Sequence, residues 1–305
     1  MTRQELNEEK QEEIFKEEKR KKRKKIIIKV VKILIIFLVV FYSFFLYQTY
    51  VATSNVIVKE KRIINNNIPD SFNGTKLIHF SDLHYGSNIN LKKLKNIVKL
   101  INLRNPDLVV FTGDLIDKKY SLNNKEQEKL INELKSINAS LGKYAVSGDE
   151  DSENFTTIMN QSGFTVLNNE YDLIYNKTND AIMLSGFSSS ISKNIDINKG
   201  MQYYSLDTAN SKIFSIALFH EPDNADNILN VHDVDLLLSG HSHNGNIRIP
   251  YLGTFFTYNG AKKYKNDYYK IKNNSLYVSS GLGTRENEIR LFCHPSVYLF
   301  RISNS

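Results

Sequence analysis

The sequence has a single cysteine, Cys293, no tryptophan and only five prolines in 305 residues. One thiol cannot close an internal disulfide or build a cysteine-based zinc site. Apolar residues make up 41% and charged residues 24%, a balance that excludes global disorder, a collagen-like repeat and a polytopic membrane protein. No Gly-X4-Gly-Lys-Ser/Thr loop is present, which removes a P-loop nucleotidase. The Gly-X-Ser-X-Gly elbow of many serine hydrolases is missing too, as is the Arg-Arg pair of twin-arginine export. Cations exceed anions, 40 against 33. Twelve of those cations and seven of the acids fall in residues 1–32, leaving 28 against 26 for the remainder. The basicity belongs to the N-terminal tail. A near-neutral body without aromatics interleaved among its cations offers no nucleic-acid surface.

Residues 1–25 are almost wholly polar and end in seven consecutive cations, Lys19 to Lys25. Such a block stays solvated, and a loose charged helix or coil is expected. The character then changes. Ile33 to Val58 carries no charge, and with Ile26 to Lys32 the stretch is long enough to span a bilayer of roughly 30 Å. Lys29 and Lys32 can snorkel at one end. The expected organisation is a charged tail over 1–25, a transmembrane anchor over 26–52 and a folded domain over 53–305. Nine Lys/Arg lie between Lys19 and Lys32, against only Lys59, Lys61 and Arg62 just after the span. The positive-inside rule puts the N-terminus in the cytoplasm and the domain outside the cell membrane. A cleaved signal peptide, with Ala52-Thr53-Ser54 as its small-residue site, is the competing reading. The apolar stretch is too long for it. The polybasic tail is suited to anionic lipid.

Beyond residue 56 the pattern alternates. Val56 to Ile64 reads as a half-exposed edge strand. Thr75 to Phe80, Leu108 to Phe111, Lys143 to Val146, Ile213 to Phe219 and Asp235 to Leu238 are short apolar runs and read as buried strands. Leu91, Leu94, Ile97, Val98 and Ile101 fall at helical spacing, and so do Leu130, Ile131, Leu134 and Ile137. Strand–helix–strand alternation predicts an α/β fold with a largely parallel sheet. Asp267 to Ile271, Leu276 to Ser279 and Ser296 to Ile302 add strand pattern and suggest a second sheet.

The informative feature is where the buried runs stop. They end in Ser81-Asp82-Leu83-His84, Thr112-Gly113-Asp114, Ser147-Gly148-Asp149-Glu150-Asp151, Phe219-His220-Glu221 and Ser239-Gly240-His241-Ser242-His243. In an open α/β sheet, ligands bind beyond the carboxyl ends of the strands. Five segments distant in sequence would therefore bring Asp and His side chains to one edge. Asp82, His84, Asp114, Asp149, His220, His241 and His243 are too many for one ion. Imidazole and carboxylate without thiolate suit two divalent ions of manganese, iron or zinc. Two such ions sharing a carboxylate form a phosphoryl-transfer site, with Asp114 on a central strand as the natural bridge. Four of the seven histidines lie in these places. His79, His232 and His294 read as structural or solvated. Arg285 and Arg290, beside the Gly281-Leu282-Gly283 loop, read as surface arginines, with the holding of an anionic group as the alternative.

With these residues in place, the chain resembles the calcineurin-like metallophosphoesterase superfamily, in particular its membrane-anchored bacterial phosphohydrolases. The resemblance runs from about Thr75 to Ile302. It rests on Ile78-His79-Phe80-Ser81-Asp82-Leu83-His84, Val110-Phe111-Thr112-Gly113-Asp114, His220-Glu221-Pro222-Asp223 and Leu238-Ser239-Gly240-His241-Ser242-His243-Asn244-Gly245. Ile247-Arg248-Ile249-Pro250 and Ser280-Gly281-Leu282-Gly283-Thr284, followed by Arg290, extend it. The resemblance implies an αββα two-sheet sandwich with a dinuclear site, manganese favoured. It implies one ion held by Asp82, His84, Asp114 and His243 and another by Asp114, Asp149, His220 and His241. Its activity would be phosphoester hydrolysis, on a lipid-linked or cell-wall substrate given the membrane address. One motif departs: the family has Gly-Asn-His where this chain has Gly148-Asp149-Glu150. Glu150 then stands where the family's histidine contacts phosphate, and, if protonated, would act as general acid. A carboxylate in that place also allows an alternative, a relative that binds metal or a phosphorylated ligand with little turnover.

Overall fold

The computed structural model describes residues 3–51, 54–206, 212–249, 251–254, 256–285 and 289–305. Ala52 and Thr53 of the alternative cleavage site, and Pro250 of one motif, lie outside them. Two compact units divide near residue 50.

The first unit is one helix, α1 (Arg3–Tyr50). The polar tail, expected as a loose charged helix or coil, is part of it. Ion pairs at i,i+4 spacing, Glu12 with Lys16 (3.0 Å) and Glu17 with Lys21 (2.9 Å), support the charged turns. The apolar part of α1 is long enough to cross a membrane and exposes its side chains. Water would not tolerate that surface; a bilayer would.

The second unit begins with β1 (Ile57–Ile64) and β2 (Thr75–Phe80), then α2 (Leu91–Asn102), β3 (Leu108–Thr112), α3 (Asn124–Lys135) and β4 (Gly142–Val146). Next come α4 (Phe155–Gln161), β5 (Thr165–Val166), β6 (Glu170–Tyr175), β7 (Ala181–Gly186), α5 (Ile197–Gly200) and β8 (Ser215–Leu218). The chain finishes through α6 (Ala225–Val231), β9 (Leu236–Ser239), β10 (Arg248–Ile249), β11 (Gly253–Thr254), β12 (Tyr268–Ile271), β13 (Asn274–Val278) and β14 (Ser296–Ser303). One sheet has the order β1-β14-β2-β3-β4-β5, the other β12-β13-β9-β8-β7-β6, and β10 and β11 form a separate hairpin. The inner strands β2, β3 and β4 are parallel, as are β13, β9, β8 and β7.

Strand alternation sorts the core into layers. Leu77, Leu108 and Val110 face the second sheet, meeting Leu184, Ile216 and Leu238. Their neighbours Ile78, Val109 and Phe111 face α2, α3 and α4 through Leu94, Ile97, Leu130, Leu134 and Phe155. On the outer face of the second sheet, Ala217, Phe219 and Leu237 pack with Ile228 of α6. The result is a helix–sheet–sheet–helix sandwich. The strands β5, β6 and β7 were not expected from the sequence.

Candidate metal centre

Parallel order fixes where the site forms, because β2, β3, β4, β8 and β9 all release their loops at carboxyl ends. The side chains that follow fall into close groups. Asp82, His84 and His243 form one; Asp114, Asp149, His220 and His241 form a second. Within each group, one possible ligand atom per residue lies within 4.8 Å of the others. All seven residues predicted from the sequence are thus brought together. Asp114 touches both groups, its Oδ2 lying 3.7 Å from His84 Nε2 and 3.3 Å from His220 Nε2. His84 Nε2 and His243 Nε2 face each other at 3.2 Å.

Close backbone approach makes this convergence possible. A Cβ on Gly148 would stand 2.2 Å from Asp114 Oδ1, and one on Gly240 would stand 2.0 Å from Ser81 Oγ. No side chain fits at either place. Asp151 then ties the loops. It accepts hydrogen bonds from the backbone N–H groups of Gly148 (2.7 Å), Leu115 (2.8 Å) and Asp114 (2.9 Å). Burial, then the charge of Asp114, pushes the Asp151 carboxyl up to about 6. Asp151 clamps the ends of β3 and β4 through these backbone bonds.

Hydrogen bonds orient the imidazoles. His220 Nδ1 donates to the Thr112 carbonyl (2.6 Å), which leaves Nε2 toward Asp114 and toward Asp149 at 3.1 Å. His241 Nε2 donates to the Asn259 carbonyl (2.6 Å), leaving Nδ1 2.9 Å from Asp149 Oδ1. Such outer contacts fix which nitrogen is offered to a metal. Burial opposes ionisation of Asp114, yet His220, His84 and Arg285 outweigh it and hold the carboxyl below its usual range. Burial resists protonation of His220 as well, but Asp114 and its neighbours drive it well above the ordinary imidazole value. His243 is driven the other way by burial and by the charge of His84. The other residue ending the fourth run, Glu221, is turned away; it accepts from Ser190 N–H at 3.0 Å.

These donors fit divalent cations. Among the described residues, His84 Nδ1, His220 Nε2 and His243 Nδ1 are buried without a hydrogen bond of good geometry. A buried pair of imidazole nitrogens 3.2 Å apart, with three carboxylates close by, suits positive charge held between them. Part of it comes from the chain itself. Arg285 Nη2 lies 2.7 Å from Asp149 Oδ1, 2.9 Å from Asp114 Oδ2 and 3.1 Å from His241 Nδ1. Its guanidinium sits 5.0 Å from the centre of the Tyr258 ring.

That placement corrects the reading of two surface arginines. Arg285 has only 14% of its side chain exposed. Arg290 is fully buried and donates to the carbonyls of Ser280 (2.6 Å), Gly281 (3.1 Å) and Gly283 (2.5 Å). It staples the loop that carries Arg285. Glu150 is half-buried, with Oε2 3.3 Å from His84 Nδ1 and Oε1 3.5 Å from Arg285 Nε. With His84 and Asp117 it makes a third small group, and it lines a cavity of about 370 Å³ with Leu115, Gln127 and Phe155. The sequence reading missed Asp117, although its three-residue offset from Asp114 was visible.

Of the remaining histidines, His79 is fully buried and pairs with Thr112 Oγ1 at 2.8 Å, and burial drives it down to about 3. His232 stacks on Tyr204 at 4.4 Å.

Residues 75–245, more than half of the chain, match the calcineurin-like phosphoesterase family. The chain belongs to that family. The metallophosphoesterase YkuE of Bacillus subtilis is 30% identical over 85% of this chain and 90% of its own length. A transmembrane protein with a metallophosphoesterase domain from Danio rerio is 30% identical over 59% of this chain and 43% of its own. The UDP-2,3-diacylglucosamine pyrophosphatase LpxG of Chlamydia muridarum is 25% identical over 75% and 83% respectively. Family membership makes this a metallophosphoesterase with metal-binding residue groups, and the apolar helix together with a transmembrane relative points to membrane anchoring.

Proposed function

We propose that the chain hydrolyses phosphoesters at a dinuclear centre, tethered by α1 with its catalytic unit outside the membrane. The observation that carries this reading is the pair of carboxylate–imidazole groups joined through Asp114. Asp82, His84, Asp114 and His243 would hold one ion, and Asp114, Asp149, His220 and His241 the other, with manganese favoured over iron or zinc. When bound, two divalent cations supply Lewis acidity and an activated water near neutral pH.

The chain's own groups do the rest. Thr112 and Asn259 carbonyls keep the imidazoles of His220 and His241 aimed inward. Arg285, its Nη2 already on Asp149 and Asp114, adds a positive charge beside the proposed ligands that an anionic phosphate would share. Glu150 lies between His84 and Arg285 and lines the 370 Å³ cavity, beside the proposed ligands. The polybasic start of α1 supports an inside N-terminus, and the relative named for a lipid-linked sugar nucleotide supports a lipid-linked or cell-wall phosphoester.

The full-length protein in detergent should bind about two Mn per chain and cleave a generic aryl phosphodiester or monoester. Asp114→Asn should abolish cleavage. Absence of cleavage with every divalent metal tried would refute the enzyme. The carboxylate at Glu150 favours one other reading, a metal-binding relative without turnover. In that case Asp149→Asn with Glu150→His should create activity where the wild type has none.

A further inference from the structure

The hairpin β10–β11 exposes side chains that water disfavours. Tyr251 is fully exposed, Leu252 is 71% exposed, and Phe256 and Ile249 are open as well. Tyr251 also has φ +69°, a left-handed conformation that is strained for a bulky residue. A sequence free to choose would place Gly or Asn at such a turn. Ile249, Tyr251, Leu252 and Phe292 share an open cleft of about 570 Å³ with Arg248 and Lys265, and among the described residues no carboxylate lines it. The bonds of Arg248 Nη1 go to amide oxygens, those of Asn244 and Asn266 (3.1 Å to the latter), which leave its charge in place. Aromatic and aliphatic tips beside these two cations match a partner with an anionic head and an apolar body.

We propose that this hairpin inserts into the lipid–water interface and binds anionic lipid, as a second membrane contact independent of α1. The same chain supplies the bilayer through its apolar helix, so the surface is already at hand; the inference rests on that anchoring reading. Interfacial elements of this kind sink roughly 5–10 Å into the headgroup boundary, and aromatic residues with Lys or Arg are typical of it. Contacts link the hairpin to the candidate metal centre. It begins five residues after His243, and Thr254 Oγ1 packs against the Gly245 carbonyl at 3.4 Å. Asn246 donates to the Tyr258 hydroxyl at 3.0 Å, and the Tyr258 ring lies 5.8 Å from His243 and 5.9 Å from His241. Docking would thus hold the centre at headgroup level, where a membrane-borne phosphoester presents its phosphate.

The chain has no tryptophan, so Tyr251→Trp creates a unique reporter at a fully exposed place. The full-length variant is reconstituted into vesicles of phosphatidylethanolamine and phosphatidylglycerol containing brominated acyl chains. Tyr175→Trp, on the exposed edge strand β6, is the reference. The indole of the Tyr251→Trp variant should emit blue-shifted and be quenched at least about twice as strongly as that of the reference. Replacing phosphatidylglycerol by phosphatidylcholine should reduce that quenching. A chain washed off the vesicles by carbonate refutes the anchor and the proposal with it. A chain that stays while the hairpin indole emits as in water, or is quenched no more than the reference, refutes the docking alone. Undiminished quenching on neutral lipid refutes the anionic preference.

Discussion

Arg285 gives the sharpest test of the charge balance at the centre. Its Nη2 lies 2.7 and 2.9 Å from two carboxylate oxygens on Asp149 and Asp114. At an effective dielectric of about 20, each contact contributes about 6 kcal/mol of Coulomb attraction, before desolvation offsets most of it. Breaking a buried pair by removing one partner costs about 3–5 kcal/mol, because the other charge stays behind unpaired. Arg285→Met keeps the packing on Tyr258 and removes the charge. In a chelator the variant should lose that amount, which for a unit of this size is roughly 6–20 °C in Tm. The two carboxylates left behind are proposed metal ligands, so saturating Mn should stabilise the variant more than the wild type and recover most of the deficit. Circular dichroism melts of the full-length protein in detergent, with EDTA and with Mn, read both numbers. An equal loss in both buffers, or none in EDTA, would refute the reasoning.

Three further substitutions probe the frame around the site. Gly148→Ala puts a methyl 2.2 Å from Asp114 Oδ1; stability should fall by about 1–3 kcal/mol and Mn affinity, measured by titration calorimetry, should drop with it. His79, held down to about 3 in the folded chain, binds its proton more readily when unfolded. Stability from this residue is therefore complete above the ordinary value of about 6.5 and is lost as pH falls toward about 3, with roughly 2 kcal/mol gone by about pH 5. Urea titrations of His79→Gln across that window should show a shallower acid slope than wild type; parallel slopes would count against a buried neutral imidazole. Arg290→Met deprives three carbonyls of their donor. It should cost at least about 3 kcal/mol and speed amide exchange in the 280–283 loop.

Much of the site was legible because each parallel strand announces itself as a short apolar run, and its carboxyl end as the first polar residue after it. Thr75–Phe80 followed by Asp82 and His84 is an example in which register and chemistry share one stretch of sequence. What could not be read depends on burial created by distant segments. Arg285 follows a glycine-rich loop and looks solvated until Arg290 ties that loop down through its carbonyls and the Tyr258 ring lies against the guanidinium. Thr165–Val166 is too short to show a period of two, and Glu170–Tyr175 is an edge strand whose exposed side chains blur the alternation. For the tail, helix and coil stayed open in the sequence because local charge pairs, rather than an apolar face, support its helix.

Backbone conformation explains why these strand ends converge. Asp82, His84, Asp114, His241 and His243 all have positive φ, between 43° and 64°. Each such residue costs on the order of 1–3 kcal/mol relative to an ordinary conformation. A left-handed residue turns the chain sharply where the strand ends. Mutual contacts offset the strain: Asp82 N–H donates to the Gly113 carbonyl (2.9 Å), His84 N–H to the Asp114 carbonyl (3.1 Å) and His241 N–H to Asp82 Oδ1 (3.0 Å). The two strands of the first sheet and one of the second thereby brace one another. A proposed ligand is then also a backbone support for its neighbour, so the two groups of ligands should be lost together rather than one residue at a time.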